Sequence, residues 1–293
     1  MPLLTIAPWY RDLAAKAERL LTRTVEPDRL IQLERRLLST SEVVLGDDSS
    51  LTRGARALLA ESLDRDGQCS EALVVRSEGF DAKVRHHGAI HPDTIATELR
   101  IAGMFAAADR PGRAKRHLRH VIDHSRLRPD LDVSVTISAM YQLGRLYLAE
   151  DRPKKAQQML ESALIGYRSA FGEDRTETWR AASSLAVALA RQEKYEAAIA
   201  LLRQLSERQV SALDEDDPEL VSTRWKLAEV LHGGGELSEA EALATGVLAS
   251  KVRVYGYAGP ETAAVRALLA GIFKSTERRK RSKKVLQRRD VGR

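Results

Sequence analysis

The sequence predicts an all-α solenoid, an array of antiparallel helical hairpins stacked in chain order. Its composition favours helices, since Ala, Leu, Arg and Glu are abundant while only 5% of residues are aromatic. A pattern of small and aliphatic residues also repeats every 42 residues from position 46 onward. Each repeat contains two stretches whose apolar residues lie on one helical face, and such hairpins bury that face only by stacking on their neighbours.

Six units carry this repeat, and they start near residues 46, 88, 130, 172, 214 and 256, so the solenoid is predicted to span residues 46–273. A first small residue recurs in every unit: Ala60, Ala102, Gly144, Ala186, Ala228 and Ala270. A bulky residue follows three positions later: Leu63, Phe105, Tyr147, Leu189, Leu231 and Phe273. A second small residue comes later in each unit: Ala72, Ala114, Ala156, Ala198, Ala240 and Ser282. Small residues let two helices approach closely, so each unit is predicted to be one hairpin.

Helix starts are marked by proline and by capping residues. Pro92, Pro218 and Pro260 are placed in the first turn of a helix. Backbone amides there have no acceptor within the helix, so the missing N–H of proline costs little. Ser49 and Asp217 are suited to accept a hydrogen bond from the first free amides, and His91 is a further candidate cap. These signals place the beginning of the first helix in several units.

Both ends of the chain depart from the regular unit. Residues 1–45 are predicted to form an N-terminal cap of two helices, 8–21 and 27–44, whose register is degenerate because Glu18 stands where a small residue belongs. Residues 274–293 are predicted to form a basic capping helix, the second helix of the last unit. Terminal repeats are commonly atypical because nothing stacks beyond them.

The unit resembles the tetratricopeptide repeat, in the 42-residue variety found in kinesin light chains and many bacterial proteins. The best stretch is residues 171–205, FGEDRTETWRAASSLAVALARQEKYEAAIALLRQL, with a G-x-x-x-x-x-T opening, an L-A pair and K-Y-E-A-A. The resemblance implies a right-handed superhelix whose first helices line a concave groove. Kinesin light chains have an Asn pair before L-A, whereas this chain has Ser183-Ser184 there, so the kinesin cargo is not implied.

The positions that the resemblance assigns to the groove are rich in cations and amphipathic rings. Trp, Tyr and Arg are over-represented at binding hot spots. The groove is therefore expected to bind a peptide that is acidic or presents a C-terminal carboxylate, although the same residues are also consistent with solvated helix faces. The candidate groove residues are Arg100, Tyr141, Gln142, Arg145, Arg180, Ser184, Arg191, Trp225, Lys226 and Glu229.

The charge of the chain is concentrated at its C-terminus. The net charge is +6, but residues 274–293 alone carry ten basic and two acidic side chains, so the rest is slightly acidic. Blocks of like charge often bind nucleic acid. An alternative function is therefore weak, non-specific nucleic-acid binding by this tail and the basic helix near 113–128, while the competing interpretation is a polar cap only. The candidate anion-binding tail comprises Arg278, Arg279, Lys280, Arg281, Lys283 and Lys284.

Motifs for catalysis or metal binding are weak in this sequence. His117, His120 and His124 share one helical face, and histidines at this spacing can bind zinc. They are expected to point outward among arginines and lysines that oppose a cation, so no metal or cofactor is predicted. Cys69 occupies a hairpin-turn position and is expected to pack as a structural residue. With no nucleophile–base pair or phosphate loop, the chain is predicted not to be an enzyme.

The compartment is predicted from absences in the sequence. One cysteine excludes an internal disulfide, and neither a signal peptide nor a run of about 20 apolar residues is recognisable. A cytoplasmic location is therefore expected, and the abundance of Ala and Arg suggests a bacterial source. Taken with the resemblance, the sequence predicts a non-catalytic interaction scaffold or adaptor, in a bacterial regulatory or biosynthetic system.

Overall fold

The computed structural model describes residues 27–47, 49–128, 130–257 and 259–290, with side chains described as far as residue 280. Within these residues there are twelve α-helices and no strand, which confirms the all-α fold. The helices are α1 (Pro27–Leu45), α2 (Ser50–Arg65), α3 (Cys69–His87), α4 (Pro92–Ala107), α5 (Pro111–Ser125), α6 (Val133–Ala149), α7 (Pro153–Phe171), α8 (Thr176–Ala190), α9 (Tyr195–Val210), α10 (Pro218–Gly234), α11 (Leu237–Tyr255) and α12 (Pro260–Asp290).

The even-numbered helices are the first helices of the repeats and the odd-numbered ones the second helices. Five hairpins follow one another in the described residues, from α2–α3 to α10–α11. The chain divides into two compact units, residues 1–139 and 140–293, with the division inside α6. Among the described helices, none is both long and apolar enough to cross a bilayer.

The turn within each hairpin is set by a residue in the left-handed region. Gly67, Asp109, Asp151, Glu193 and Gly235 have φ of 79°, 53°, 53°, 61° and 84°, and they recur at the 42-residue interval. The amide that follows each of them bonds to the carbonyl of the bulky-column residue, as Arg110 does to Phe105 at 2.8 Å. This is the Schellman arrangement, which satisfies the last carbonyls of the first helix. The repeat therefore fixes backbone conformation as well as packing.

The turn between hairpins depends on glycine and threonine. Gly88, Gly172 and Gly256 end α3, α7 and α11 with φ of 83°, 88° and 75° and ψ near 160–180°, a region that only glycine adopts readily. Thr178 Oγ1 donates to the Gly172 carbonyl at 2.8 Å, and Thr262 Oγ1 donates to the Gly256 carbonyl at the same distance. These bonds explain the G-x-x-x-x-x-T spacing at the start of the unit.

The small columns lie where helices come closest. Ala102, Ala186 and Ala228 are fully buried, as is every member of the second small column from Ala72 to Ala240. At Gly144, a Cβ atom would stand 2.6 Å from Cγ of Leu160, so even alanine is too large for the existing packing. The columns mark the contact between the two helices of a hairpin.

The predicted helix starts are confirmed. Ser49 Oγ accepts from the amide of Thr52 at 3.1 Å, and a carboxylate oxygen of Asp217 accepts from the amide of Glu219 at 2.8 Å. His91 caps α4 by accepting at Nδ1 from the Asp93 amide at 3.3 Å. Three proline-marked helices, α4, α10 and α12, begin at Pro92, Pro218 and Pro260.

The N-terminal segment agrees with the sequence where it is described. α1 spans nearly the predicted 27–44, and its Ile31, Leu37 and Leu38 pack in one apolar cluster with Leu59 and Leu63 of α2. It therefore occupies the place of a second helix before the first complete hairpin. The predicted helix 8–21 lies outside the described residues.

The C-terminal segment differs from the prediction. Instead of turning back to form a separate capping helix over 274–293, the backbone continues α12 unbroken to Asp290. Glu277 stands in the column of turn residues, yet it has no positive φ, and the Arg-Arg-Lys-Arg that follows favours helix. Among the described residues no second helix covers this unit, and Phe273 is 50% exposed and Ala270 is exposed too.

Candidate partner-binding face of the first helices

Nine of the ten candidate groove residues lie in the second compact unit, on or at the ends of α6, α8 and α10. Five of these nine belong to one surface, here called the first-helix face of the second unit. This face is defined by Tyr141, Arg145, Arg180, Ser183, Glu219, Lys226 and Glu229.

On α6, the face presents a cation beside an aromatic ring. The Arg145 guanidinium lies 5.8 Å from the centroid of the Tyr141 ring, one helical turn away, in cation–π geometry. The Tyr141 ring also meets the Tyr167 ring edge-on, with centroids 6.2 Å apart. Arg145 is exposed while Tyr141 is half-buried, so the ring holds an accessible guanidinium in place.

An ion pair joins α8 to α10. Arg180 Nε donates to Glu219 Oε1 at 2.7 Å, and Nη2 of the same guanidinium donates to the same oxygen. This hydrogen bonding raises the pKa of Arg180, and the nearby charge of Glu219 acts in the same direction. The pair fixes the position of Arg180 on the face but occupies two of its donor groups.

Lys226 is the half-buried cation at the middle of this face. Its Nζ donates to Ser183 Oγ at 2.7 Å, which in the described part of the chain is its one hydrogen bond. Burial lowers the pKa of Lys226. Glu219 and Glu229 oppose this shift through their charges, whereas Arg145 and Arg180 add to it. An ammonium group is thus held beside two guanidinium groups with a neutral hydroxyl as its acceptor.

Trp225 does not share the surroundings of Lys226, although the two are adjacent in sequence. Its ring packs against Val221, Val247 and Val265, and Lys251 Nζ of α11 lies 4.3 Å from the ring centroid. Its indole Nε1 is buried with no hydrogen-bond partner among the described residues. Trp225 therefore makes packing contacts within its own unit, and it lines a small cavity of about 170 Å³.

The remaining candidates of this unit are engaged by the fold or lie at the margin. Arg191 ends α8, donates to the Leu148 carbonyl and lies 3.7 Å from Asp151, so it braces the preceding hairpin turn. Ser184 donates to the Arg180 carbonyl within its own helix. Gln142 is half-buried and Glu229 exposed.

Arg100 lies in the first unit, where it lines a cavity that the sequence reasoning missed. The cavity has a volume of about 330 Å³ between α2, α3 and α4. Five cationic side chains line it: Arg53, Arg56, Arg76, Lys83 and Arg100. Arg56 is paired with Glu42 at 2.6 Å and Arg76 with Asp64 at 2.7 Å, so part of this charge is neutralised. The helices α2, α3 and α4 carry seven basic and seven acidic residues between them, so no charge imbalance in the sequence pointed to this cavity.

The candidate anion-binding tail is only partly described. Arg279 donates to the Gly235 carbonyl at 3.1 Å, and Lys280 lies 3.3 Å from Glu277. Arg278 also takes part in a contact. The side chains of Arg281, Lys283 and Lys284 lie outside the described residues. Of the described tail cations, Arg279 thus also anchors α12 to the turn after α10.

The histidines of α5 and the lone cysteine differ from expectation. His117, His120 and His124 do not project away from the hairpin, because each has its Nδ1 within 4 Å of the buried Glu98 carboxylate on α4. Cys69 is exposed at the first position of α3 rather than packed. Helical spacing predicted correctly that the histidines share one face, but not that this face meets Glu98.

Comparison with known proteins identifies the repeat. The tetratricopeptide repeat pattern matches residues 135–209 and again residues 221–244. A putative kinesin light chain of Podosopora anserina, with nearly identical TPR-like repeats, is 20% identical with a TM-score of 0.60 over 68% of this chain and 94% of its own.

Two further solved structures have the same fold. BtubC (BKLC) from P. vanneervenii is 15% identical with a TM-score of 0.64, covering 80% of this chain and 94% of its own. The assembly chaperone of RpL4 (Acl4) is 16% identical with a TM-score of 0.51, covering 94% and 99%. At these identities the likeness shows the fold alone. No curated protein matches the chain.

Proposed function

Since this chain carries tetratricopeptide repeats over residues 135–209 and 221–244, we propose that it is a non-catalytic interaction scaffold or adaptor whose first-helix face binds an acidic peptide segment of a partner protein. Stacked-repeat proteins use their extended concave surfaces for binding, and one structure of the same fold is that of an assembly chaperone of RpL4. The partner's acidic segment, the cytoplasmic setting and a bacterial regulatory or biosynthetic system are parts of this proposal.

The observation that carries the proposal is the environment of Lys226. A half-buried ammonium has lost part of its hydration, and Ser183 replaces only one of the water molecules that it gave up. A carboxylate placed on the face would accept from the remaining donors and form charge-assisted hydrogen bonds, which are stronger than neutral ones. Arg145 is exposed on the same face and adds a second donor group for an acidic ligand.

The protein's own carboxylates are the groups that could compete with a peptide carboxylate for Lys226. Glu219 is already committed to Arg180, and Glu229 is exposed to solvent. Neither is within ion-pair distance of Lys226 in the described structure. A peptide carboxylate would therefore pair with Lys226 without displacing an ion pair that the fold already makes.

Peptide titration tests the proposal. Peptides are first selected by display against the intact protein. A selected peptide rich in Asp and Glu is labelled with a fluorophore and titrated. The same titration is done with a version that has Asn and Gln in place of Asp and Glu, and with the C-terminal amide of the peptide. We expect the acidic peptide to bind and the Asn and Gln version to lose most affinity; the amide shows whether the terminal carboxylate takes part. Selection of peptides without acidic residues would contradict the proposal.

Two lysine variants locate the site. Lys226→Met keeps the side-chain length but removes the charge, and should weaken binding by about tenfold to a hundredfold, the range for a hydrogen bond to a charged group. Lys251→Met is the matched control, because Lys251 lies over Trp225 and outside the first-helix face. Equal affinity of wild type and Lys226→Met would exclude this face as the site.

A further inference from the structure

Four side chains converge at the α4–α5 hairpin of the first unit. His117, His120 and His124 lie on one face of α5 and are directed at Glu98 of α4. His117 Nδ1 is 3.0 Å and His120 Nδ1 is 3.2 Å from Glu98 Oε1, while His124 Nδ1 is 3.8 Å from Oε2. Three ring nitrogens thus surround a single carboxylate.

The position of Glu98 is unusual for an acidic residue. Its side chain is only 2% exposed, and carboxylates are rarely buried unless they are paired or coordinate a metal. The candidates for such pairing are the three histidines, and His124 Nδ1 is itself buried with no hydrogen-bond partner in the described structure. Glu98 Oε1 is within hydrogen-bond distance of Nδ1 of both His117 and His120, and a cation held between these groups would neutralise the buried carboxylate.

Neighbouring aromatic rings fix the orientation of the first histidine. The His117 ring is stacked on Phe105, with centroids 5.4 Å apart and planes 2° apart. Phe80 meets the same imidazole edge-on at 5.9 Å. These contacts hold the His117 ring with its Nδ1 toward Glu98, so one ligand direction is set before any ion binds.

The donor set matches zinc better than other biological cations. Imidazole with carboxylate suits Zn²⁺, whereas Mg²⁺ and Ca²⁺ take oxygen ligands almost alone. A tetrahedron with zinc–nitrogen distances of about 2.0–2.1 Å has edges of about 3.3 Å. Nδ1 of His117 and Nδ1 of His120 lie 3.0 and 3.2 Å from the same Glu98 oxygen, close to that value, whereas His124 Nδ1 lies 3.8 Å from the other oxygen and outside the group of three. The donor atoms of Glu98, His117 and His120 all fall within 4.8 Å of one another.

The basic side chains of α5 oppose a cation but do not occupy this point. Arg113 lies over the Phe105 ring at 5.5 Å, and Arg126 is paired with Asp123 at 3.4 Å. Both are on the outer part of the helix, where water and salt screen their charge. Coordination bonds from the three converging donors, Glu98, His117 and His120, would outweigh such screened repulsion.

We propose that Glu98, His117 and His120 bind zinc and that His124, whose side chain would rotate toward the ion, completes a four-ligand site that ties α5 to α4. A site with four protein ligands is closed, so its role is structural rather than catalytic. Such a link would stabilise the end of α5, which has 15 residues and no glycine cap, whereas α3, α7 and α11 have 19 residues and end at glycine. Zinc would hold the last turn of α5, which includes His124.

Metal binding to the intact, untagged protein tests the site. After dialysis against chelator, Zn²⁺ is titrated in competition with a chromophoric chelator, and Co²⁺ is used as a spectroscopic probe. We expect one zinc ion per chain, intense visible absorption from tetrahedral cobalt, and a rise in the melting temperature of the protein on adding zinc. No zinc uptake in competition, or the weak absorption of octahedral cobalt, would overturn the proposal.

Two variants assign the ligands. His120→Gln is expected to fold normally, since its side chain is 51% exposed, yet to lose more affinity than the roughly 10–100-fold that removal of an outer-shell partner costs. The double variant His86→Gln/His87→Gln removes two histidines at the end of α3 and should bind zinc as wild type does. If instead the double variant loses zinc and His120→Gln retains it, the ligands are elsewhere and the assignment is wrong.

Discussion

Lys226 has opposite effects on stability and on the proposed binding. Burial costs free energy for the charged form, which is why its pKa is lowered, and Ser183 returns one hydrogen bond. An acidic ligand would offset this free-energy cost by giving the Lys226 ammonium a charged hydrogen-bond acceptor. At the scale of one residue, the second unit thus keeps a cation that a hydrophobic side chain could replace with little cost to the fold.

The pH dependence of stability follows from the sign of this shift. Because the folded pKa of Lys226 lies below the unfolded value of 10.5, the unfolded chain binds more protons between the two values, and the wild type gains stability there as pH rises. Lys226→Met lacks this gain. We expect the melting temperature of the wild type, relative to Lys226→Met, to be higher at pH 10 than at pH 7. A constant difference would show that Lys226 is not desolvated.

Gly144 tests the packing of the small column. Its added Cβ would meet Leu160, so Gly144→Ala should lower the free energy of unfolding by about 1–3 kcal/mol through overpacking. Gly246→Ala is the control, since this exposed glycine in α11 has no atom within 4 Å of a new Cβ and should gain about 0.5–1 kcal/mol. Both values come from chemical denaturation, and equal effects at the two sites would contradict the close approach.

At the scale of helices, spacing in the sequence predicted the hairpins but not every turn. The 42-residue columns placed five hairpins, because alternating small and bulky residues leave one way to pack the two helices. The last turn was predicted from the register alone. That register is not sufficient at Glu277, because good helix-forming residues follow it and no further helix of the described part of the chain packs there, so α12 continues.

The basic end of α12 gives a second prediction at this scale. As one extended helix with exposed Arg278, Arg279 and Lys280, it should retain RNA or DNA weakly on a filter at about 50 mM salt and faintly at physiological salt. Changing the six tail cations to Gln should reduce the logarithmic salt slope by about 0.7–0.9 per lost contact. Absence of retention by the intact protein at low salt would leave no role for the tail in nucleic-acid binding.

At the scale of the whole molecule, the composition and the repeat predicted the fold class, whereas the sites depended on contacts between helices. The excess of arginine and lysine at the candidate groove positions was visible in the sequence. The sequence did not show that neighbouring candidates have different surroundings: Lys226 faces α8, while Trp225 packs toward α11. Similarly, helical spacing placed three histidines on one face without showing Glu98 beneath them. Such pairings join residues about 20 to 40 positions apart and need the packed hairpin.

The most direct test of the account maps where a bound peptide lies. An acidic peptide with a photoreactive group beside its acidic residues is cross-linked to the intact protein, and the attachment sites are located by mass spectrometry. The account predicts cross-links on α6, α8 and α10, within residues 141–145, 180–184 and 226–229, which disappear in Lys226→Met and persist in Lys251→Met. Cross-links confined to the second helices α7, α9 and α11 would contradict it.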